Sequence, residues 1–183
     1  ATMLLTNNSS SNIEYGEIYV KSGKETLTFV VSGLPKGKSI IVQEKNKKTY
    51  IALVRGVVKE NQATIDMPIA RSQKERTKMA VSKKGKNAIT HIKVLERFNG
   101  YTLIEVNIET GRTHQIRVHM NYIGYPVVND PVYGKRRLID ETGQCLHAKT
   151  LGFNHPTTGE YMEFDSELPE CFTNIMDMFE NQE

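Results

Sequence analysis

The alternation of apolar and polar residues along the chain predicts a protein built mainly from short β-strands. Turn-forming residues recur about every ten positions and separate runs of β-forming residues. The sequence predicts strands over residues 14–20, 25–31, 39–43, 49–54, 90–97, 101–108, 146–151 and 160–164. Ser22-Gly23 and Asn99-Gly100 each join two of these runs, which indicates two β-hairpins. Residues 59–88 show no regular pattern and are expected to be irregular.

The run 101–108 is predicted to bury one of its faces. Successive side chains of a strand point to opposite sides of the sheet. Ile104, Val106 and Ile108 therefore share one side, whereas Leu103 shares the other side with polar residues. We expect the isoleucine and valine side to be the core.

Two segments have the apolar spacing of helices. Residues 112–122 are predicted to form a helix with Thr113 as its N-cap, and Ile116, Met120 and Ile123 form the stripe that is buried. A second, amphipathic helix is predicted over residues 170–181. Its apolar face comprises Phe172, Ile175, Met176 and Phe179. Strands and helices together indicate an α+β fold, with a mixed, mainly antiparallel sheet flanked by a few helices.

Composition places the chain among ordinary globular proteins. It has 183 residues, of which 38% are apolar and 25% charged. No apolar run is long enough for a transmembrane helix. The two cysteines, Cys145 and Cys171, lack metal-ligand spacing and are expected to be reduced thiols. We therefore expect a monomeric cytoplasmic protein that does not contact a membrane.

The net charge of +3 hides a strong asymmetry along the chain. Residues 21–93 contain 17 Lys and Arg against 5 Asp and Glu, whereas residues 94–183 contain 7 against 14. A basic region of this size is typical of proteins that bind a polyanion, most commonly nucleic acid. A solvated lysine-rich surface explains the charge equally well.

The segment 109–119, with the sequence E-T-G-R-T-H-Q-I-R-V-H, is the richest in candidate chemistry. Arg112, His114 and Arg117 follow Gly111 at or near the start of the predicted helix. Free backbone N–H groups and guanidinium groups at such a position favour an anion, either a phosphate or a carboxylate that must stay ionised. The alternative is a surface helix whose arginines pair with nearby acids.

Four motifs occur in an order that resembles one enzyme family. They are Y-I-A-L-V-R-G at 50–56, G-R-T-H-Q-I-R-V-H at 111–119, G-Y-P-V-V-N-D-P-V-Y-G at 124–134 and L-H-A at 146–148. Together they resemble the RluA-like pseudouridine synthases, which isomerise selected uridines of RNA to pseudouridine. The resemblance covers about residues 45–183, which are expected to form the catalytic domain, and it leaves the β-rich segment 1–44 unassigned. It implies an isomerase that needs neither a metal nor a cofactor.

The resemblance also implies roles for individual residues. Tyr50 corresponds to the tyrosine that stacks on the target base, and Arg117 to the basic residue that pairs with the catalytic aspartate. Arg112, His114 and Gln115 are expected to border the RNA. Three lysines, Lys83, Lys84 and Lys86, are suited to contacts with the RNA backbone, although a solvated turn explains them as well. His119 is expected to be a packed helix histidine without a role in the reaction.

The nucleophilic aspartate of the family is missing from its expected place. It lies in an H-R-L-D-x-x-T-S-G segment upstream of the tyrosine, and residues 1–49 contain neither this motif nor any aspartate. Residues 137–143, R-L-I-D-E-T-G, echo the motif, but they follow the Arg117 helix, so we interpret Asp140 as a loop residue. Two hypotheses follow, which are a pseudouridine synthase acting on ribosomal or transfer RNA and a non-catalytic RNA-binding relative or fragment.

Overall fold

A computed structural model describes residues 2–8, 10–22, 25–43, 47–134, 138–155, 158 and 160–180. These residues form twelve strands and two helices. The chain divides into two compact units, of which unit 1 comprises Ala1–Lys47 and Leu151–Phe164 and unit 2 comprises Lys48–Thr150 and Asp165–Glu183. The assignment of residues 1–44 and 45–183 to separate functional domains stays a prediction.

Unit 1 is built from antiparallel strand pairs. Strand β1 (Thr2–Thr6) pairs with β4 (Ser39–Gln43), and β2 (Ile13–Ser22) pairs with β3 (Glu25–Leu34). The pairing of the two strands predicted on either side of Ser22-Gly23 and the predicted strand at residues 39–43 are therefore confirmed, whereas Gly23 lies outside the described residues.

The main sheet of unit 2 is ordered around a central hairpin. Strand β5 (Lys47–Arg55) pairs antiparallel with β10 (Tyr101–Ile108), which pairs with β9 (Ile89–Phe98), and β9 pairs with β6 (Gln62–Asp66). Gly100 has φ = 79°, a conformation that favours glycine and closes the predicted Asn99-Gly100 turn. The α+β class with a mainly antiparallel sheet is thereby confirmed.

Residues 59–88 are more regular than expected. Besides β6 they contain β7 (Ile69–Arg71) and β8 (Met79–Val81), which form a separate antiparallel pair. The expectation of an irregular segment was wrong because these strands are short, from three to five residues, and β6 is held by pairing with the distant strand β9. A pattern of three residues gives no detectable alternation in a sequence.

Strand β10 contributes to two hydrophobic cores rather than one. Ile104 and Val106 lie in a first core with residues of β5, β9 and the helix that follows, whereas Leu103 packs in a second core. The register between β10 and β9 shifts between Leu103 and Ile104, because Leu95 is an extra residue in β9, and Leu103 and Ile104 still face opposite cores. The expectation of a buried isoleucine and valine face is confirmed, and the C-terminal helix also covers the opposite side with Phe172, Ile175 and Phe179.

The residues after the hairpin of β9 and β10 contain both helices of the described chain. Helix α1 (Gln115–Tyr122) begins three residues later than predicted, and its N-cap is His114 at φ = 56° rather than Thr113. The predicted stripe is confirmed, since Ile116 and Met120 are buried and Ile123 packs against the first core. Strands β11 (Leu146–Asn154) and β12 (Tyr161–Asp165) precede helix α2 (Glu170–Glu180), as predicted. No helix among the described residues has the length and apolar character needed to cross a membrane.

Candidate active site

Five of the predicted site residues border one cavity in unit 2. The cavity has a volume of about 240 Å³ and is referred to here as the Tyr50 cavity. Its lining comprises Tyr50, Ile108, Gly111, Arg112, His114, Gln115, Ile116, Arg117 and Leu146. Three of the four sequence motifs, at residues 50–56, 111–119 and 146–148, therefore contribute to one cavity.

Tyr50 is fixed by its strand. It lies in β5 opposite Val106 of β10, and its half-buried ring packs against the first core. Neighbouring residues Ile51 and Ala52 are buried, so the backbone that carries Tyr50 cannot shift without disturbing the core. This arrangement presents an aromatic surface to the cavity on a rigid support.

Arg117 forms a buried ion pair with Asp130. Arg117 Nε donates to Asp130 Oδ2 over 2.8 Å, and Nη2 donates to Oδ1 over 2.7 Å. Such a two-point contact fixes the plane of the guanidinium as well as its position. The sequence places Arg117 on a polar face away from the core stripe, but the side chain is only 10% exposed. Its partner among the described residues is Asp130 rather than a nucleophile upstream of Tyr50.

The turn that follows Asp130 holds the carboxylate in place. Asp130 Oδ1 accepts hydrogen bonds from the backbone N–H groups of Val132 and Tyr133, at 2.8 and 3.0 Å. Burial alone would raise the pKa of Asp130, but the hydrogen bonds from Arg117 and the two N–H groups outweigh it and hold the pKa below its usual value. Asp130 is 1% exposed and does not line the cavity, so it is a partner for Arg117 and not a group that can reach a substrate.

Tyr133 connects this ion pair to two further elements. Its ring lies 5.2 Å from the Arg117 guanidinium carbon, and its hydroxyl accepts the backbone N–H of Met79 over 2.9 Å. The same hydroxyl lies 3.0 Å from His114 Nδ1. Burial and the nearby Arg117 charge lower the pKa of His114, against an opposing effect of Asp130. His114 is therefore neutral near pH 7 and adds no charge to the cavity.

Gln115 explains why the helix starts late. Its Oε1 accepts hydrogen bonds from the Thr110 hydroxyl and from the backbone N–H of Arg112, at 2.8 and 3.0 Å. These contacts fold residues 110–114 into a loop that is not helical. Its Nε2 donates to Ile89 O and to the Thr90 hydroxyl, so the whole amide is engaged inside the protein. The expected contact of Gln115 with RNA stays a prediction, and its visible effect is to position Arg112.

His119 is a packed histidine, as predicted. It is fully buried, its Nε2 donates to Met67 O, and its Nδ1 accepts from the Thr90 hydroxyl, both at 2.9 Å. A carbonyl oxygen can only accept, so the proton of the neutral ring lies on Nε2. Burial lowers the pKa of His119, with the Met67 carbonyl opposing, which favours this neutral form.

Asp140 lies in a loop, which confirms its interpretation. It accepts hydrogen bonds from Thr142, which lower its pKa, and another from Asn129 Nδ2 at 2.7 Å. Asn129 is buried with φ = 57°, and its Oδ1 accepts the backbone N–H of Ile139. Asn129 and Asp130 are structural residues that the sequence analysis missed, although they stand in the matched motif at residues 124–134.

A second cavity has a volume of about 470 Å³ and shares lining residues with the Tyr50 cavity. It is referred to here as the lysine cavity. Its lining comprises Ile69, Ala70, Arg71, Met79, Lys84, Gly85, Lys86, Gly111, Arg112 and Thr113. Gly111 and Arg112 line both cavities. Lys84 and Lys86 are therefore brought to the candidate site, whereas Lys83 is not among the lining residues and its contact with RNA stays a prediction.

Neither lining contains an aspartate or a glutamate among the residues that the structure describes. Within the same part of the chain, no three His, Cys, Asp or Glu side chains are grouped so that they could hold a metal ion. The site is therefore aromatic and cationic, which suits an anionic ligand with a planar group.

Comparison with known proteins identifies the family. Residues 37–122 match the RNA pseudouridylate synthase family. The chain is 52% identical over 143 residues to an uncharacterized RNA pseudouridine synthase of Bacillus subtilis, covering 76% of this chain and 47% of the relative. It is 46% identical over 144 residues to ribosomal large subunit pseudouridine synthase D of Pseudomonas aeruginosa, covering 72% and 45%. The chain belongs to the RluA-like family of RNA pseudouridine synthases.

A solved structure of lower sequence identity has a similar fold. Human RNA pseudouridylate synthase domain containing 1 matches with a TM-score of 0.60 at 22% identity, covering 91% of this chain and 81% of that one. This likeness supports the α+β fold. The chain spans just under half the length of the two bacterial relatives.

Proposed function

We propose that this chain carries the tyrosine and arginine part of an active site that isomerises uridine in RNA to pseudouridine. The observation that carries the proposal is the meeting of Tyr50, Arg112 and Arg117 at one cavity. An extruded uracil can stack on the Tyr50 ring, while the two arginines face the anionic sugar-phosphate part of the nucleotide. Family membership supports the same reaction.

The reaction breaks the N-glycosidic bond, turns the uracil and rejoins it through C5, so that no atom is gained or lost. Arg117 is suited to hold a reacting carboxylate, because Asp130 uses its Nε and Nη2 and leaves Nη1 without a hydrogen-bond partner among the described residues. A carboxylate there would be kept ionised by the guanidinium. The proposal requires this nucleophile to come from a residue outside the described lining of the cavity.

Ribosomal RNA is the proposed substrate, with transfer RNA as the second choice. The support is that several relatives are named as ribosomal large subunit pseudouridine synthases, among them those of Pseudomonas aeruginosa and Nitrosomonas europaea. We propose that such an enzyme acts in the cytoplasm. We propose that it acts there as a monomer.

Gene deletion in the source organism tests the activity. We expect total RNA from the deletion strain to lack pseudouridine at one or a few uridines, and the wild-type gene to restore it. A gene encoding Arg117→Ala should not restore it, whereas a gene encoding Lys93→Ala should, because Lys93 is exposed and lines neither cavity. An unchanged pseudouridine map in the deletion strain would overturn the proposal.

A non-catalytic RNA-binding relative or fragment is the alternative hypothesis, since neither described lining contains a carboxylate, but the family match supports the synthase. A catalytic carboxylate must come within about 3 Å of the reacting atom or its proton. We therefore expect the 183-residue chain to bind ribosomal RNA without forming pseudouridine. Site-specific product from the purified chain would contradict this expectation and would show that an aspartate reaches the cavity.

A further inference from the structure

The turn that carries Lys84 and Lys86 is held tightly against strand β7. Gly85 N donates to Ser82 O over 2.8 Å, and the backbones of Lys86 and Ile69 exchange two hydrogen bonds of 2.9 Å. A Cβ atom at Gly85 would lie 2.5 Å from the carbonyl carbon of Ile69, closer than real side chains approach. Glycine therefore allows the close contact that places the two flanking lysines on the lysine cavity.

Within the part of the chain that the structure describes, the cations of the lysine cavity have no acidic partner. Its lining contains Arg71, Lys84, Lys86 and Arg112, and none of them takes part in an ion pair with another described residue. Arg112 donates through Nε to Asn87 O over 2.8 Å, which orients the guanidinium but does not neutralise it. Four converging positive charges without a carboxylate repel one another, and an anionic ligand relieves that repulsion.

We propose that the lysine cavity binds a phosphodiester of the RNA strand next to the uridine that occupies the Tyr50 cavity. This inference rests on the proposed function. Because Gly111 and Arg112 line both cavities, one continuous strand can occupy the two at once. Arg112 then contacts the strand at the junction, and Lys84 and Lys86 contact the adjoining phosphate. The shared wall with an aromatic cavity favours RNA over an acidic peptide, which has no base to stack.

A binding titration with matched variants tests the site. The probe is a fluorescent single-stranded oligouridylate, titrated with the 183-residue chain between 50 mM and 200 mM salt. The variant Lys84→Ala/Lys86→Ala removes two charges from the cavity. The control Lys59→Ala/Lys93→Ala removes two charges from exposed positions that line neither cavity. Both pairs are surface lysines, and matching thermal unfolding curves establish that both variants are folded.

The cavity variant should bind more weakly and depend less on salt. Loss of two phosphate contacts lowers the slope of log K against log salt by about 1.4 and the affinity at 0.1 M salt by roughly 20-fold. The control should lose less than about 3-fold. Equal losses in the two variants would overturn the phosphate site while leaving the proposed function standing. No binding by the wild-type chain would overturn both.

Competition identifies the class of partner. An excess of unlabelled oligouridylate should displace the probe from the wild-type chain, whereas poly-glutamate at the same charge concentration should displace it at least about 10-fold less effectively. Equal displacement by oligouridylate and poly-glutamate would show that the cavity does not distinguish an RNA strand from an acidic polypeptide, and it would overturn the inference.

Discussion

Two regions of the molecule, the surroundings of Arg117 and the turn that carries Lys84 and Lys86, differ in whether their positive charge is neutralised by an ion pair with a described residue. Arg117 is buried, paired at two points with Asp130 and stacked on Tyr133. The two lysines line an open cavity and have no ionic partner among the described residues. Both regions nevertheless border cavities that share Arg112.

This comparison illustrates two ways in which a cation can contribute to a binding site. A buried guanidinium with a fixed partner keeps one position, because moving it would leave two charges without compensation. An unpaired surface lysine exchanges water for a ligand at little cost, and its contribution depends on salt. We propose that the first region fixes the geometry of the candidate site and that the second contributes affinity for the ligand.

The largest effect should come from breaking the buried pair. Asp130→Asn leaves Arg117 buried without a counter-charge, which is expected to reduce the free energy of unfolding by about 3–5 kcal/mol. Urea unfolding of the wild type and the variant measures this loss. The control is Glu96→Gln, an equivalent change at an exposed position of β9, with an expected effect below about 0.5 kcal/mol. A loss below about 1 kcal/mol in Asp130→Asn would contradict the structural role of the pair.

An intermediate effect should follow from acidification, through His119. Its folded pKa is lowered, so the folded state binds fewer protons than the unfolded state, in which histidine titrates near 6.5. Above about pH 6.5 the histidine is neutral in both states and its stabilisation of the folded state is complete. Below that pH the unfolded state takes up the proton more readily, so the free energy of unfolding falls by about 1.4 kcal/mol for each unit by which the two pKa values differ. Urea unfolding at pH 7.5 and 5.5 should show this loss, and His119→Gln should reduce it. An identical pH dependence in His119→Gln would contradict the expectation.

The smallest effect on stability should come from the lysine turn. Lys84→Ala/Lys86→Ala is expected to change the free energy of unfolding by less than about 0.5 kcal/mol, because neither lysine forms an ion pair with a residue that the structure describes. Differential scanning calorimetry checks the value. Destabilisation above about 1 kcal/mol would show that the two lysines support the fold, and the contrast with Arg117 would no longer hold.

Local signals predicted the parts of the fold that local interactions determine. Asn99-Gly100 marks its hairpin because the turn requires positive φ, and Ile116 and Met120 mark the buried stripe of α1 by their spacing. The start of α1 was not predictable in this way. It depends on Gln115, whose side chain also reaches Ile89 and Thr90 in another strand.

The same distinction applies to the candidate site. The motifs indicated that Tyr50 and Arg117 belong together, and the structure places both on one cavity. The partner of Arg117 was missed, because the Asp130 carboxylate is positioned by a turn in which it accepts hydrogen bonds from the backbone N–H groups of Val132 and Tyr133. Pairing of this kind follows from tertiary structure and leaves no periodic trace in the sequence.

Helix α1 contacts two different hydrophobic clusters, and this division has an evolutionary consequence. Ile116 and Met120 pack in the first core, which also supports Tyr50, whereas Val118 packs in a smaller cluster with Ile69 and Tyr133. The lysine turn rests on the smaller cluster through Ile69. Under the proposed RNA contact, substitutions around Ile69 are therefore expected to alter binding by the lysine turn without moving the Tyr50 ring. We expect homologues with different RNA targets to diverge first in this smaller cluster and its turn.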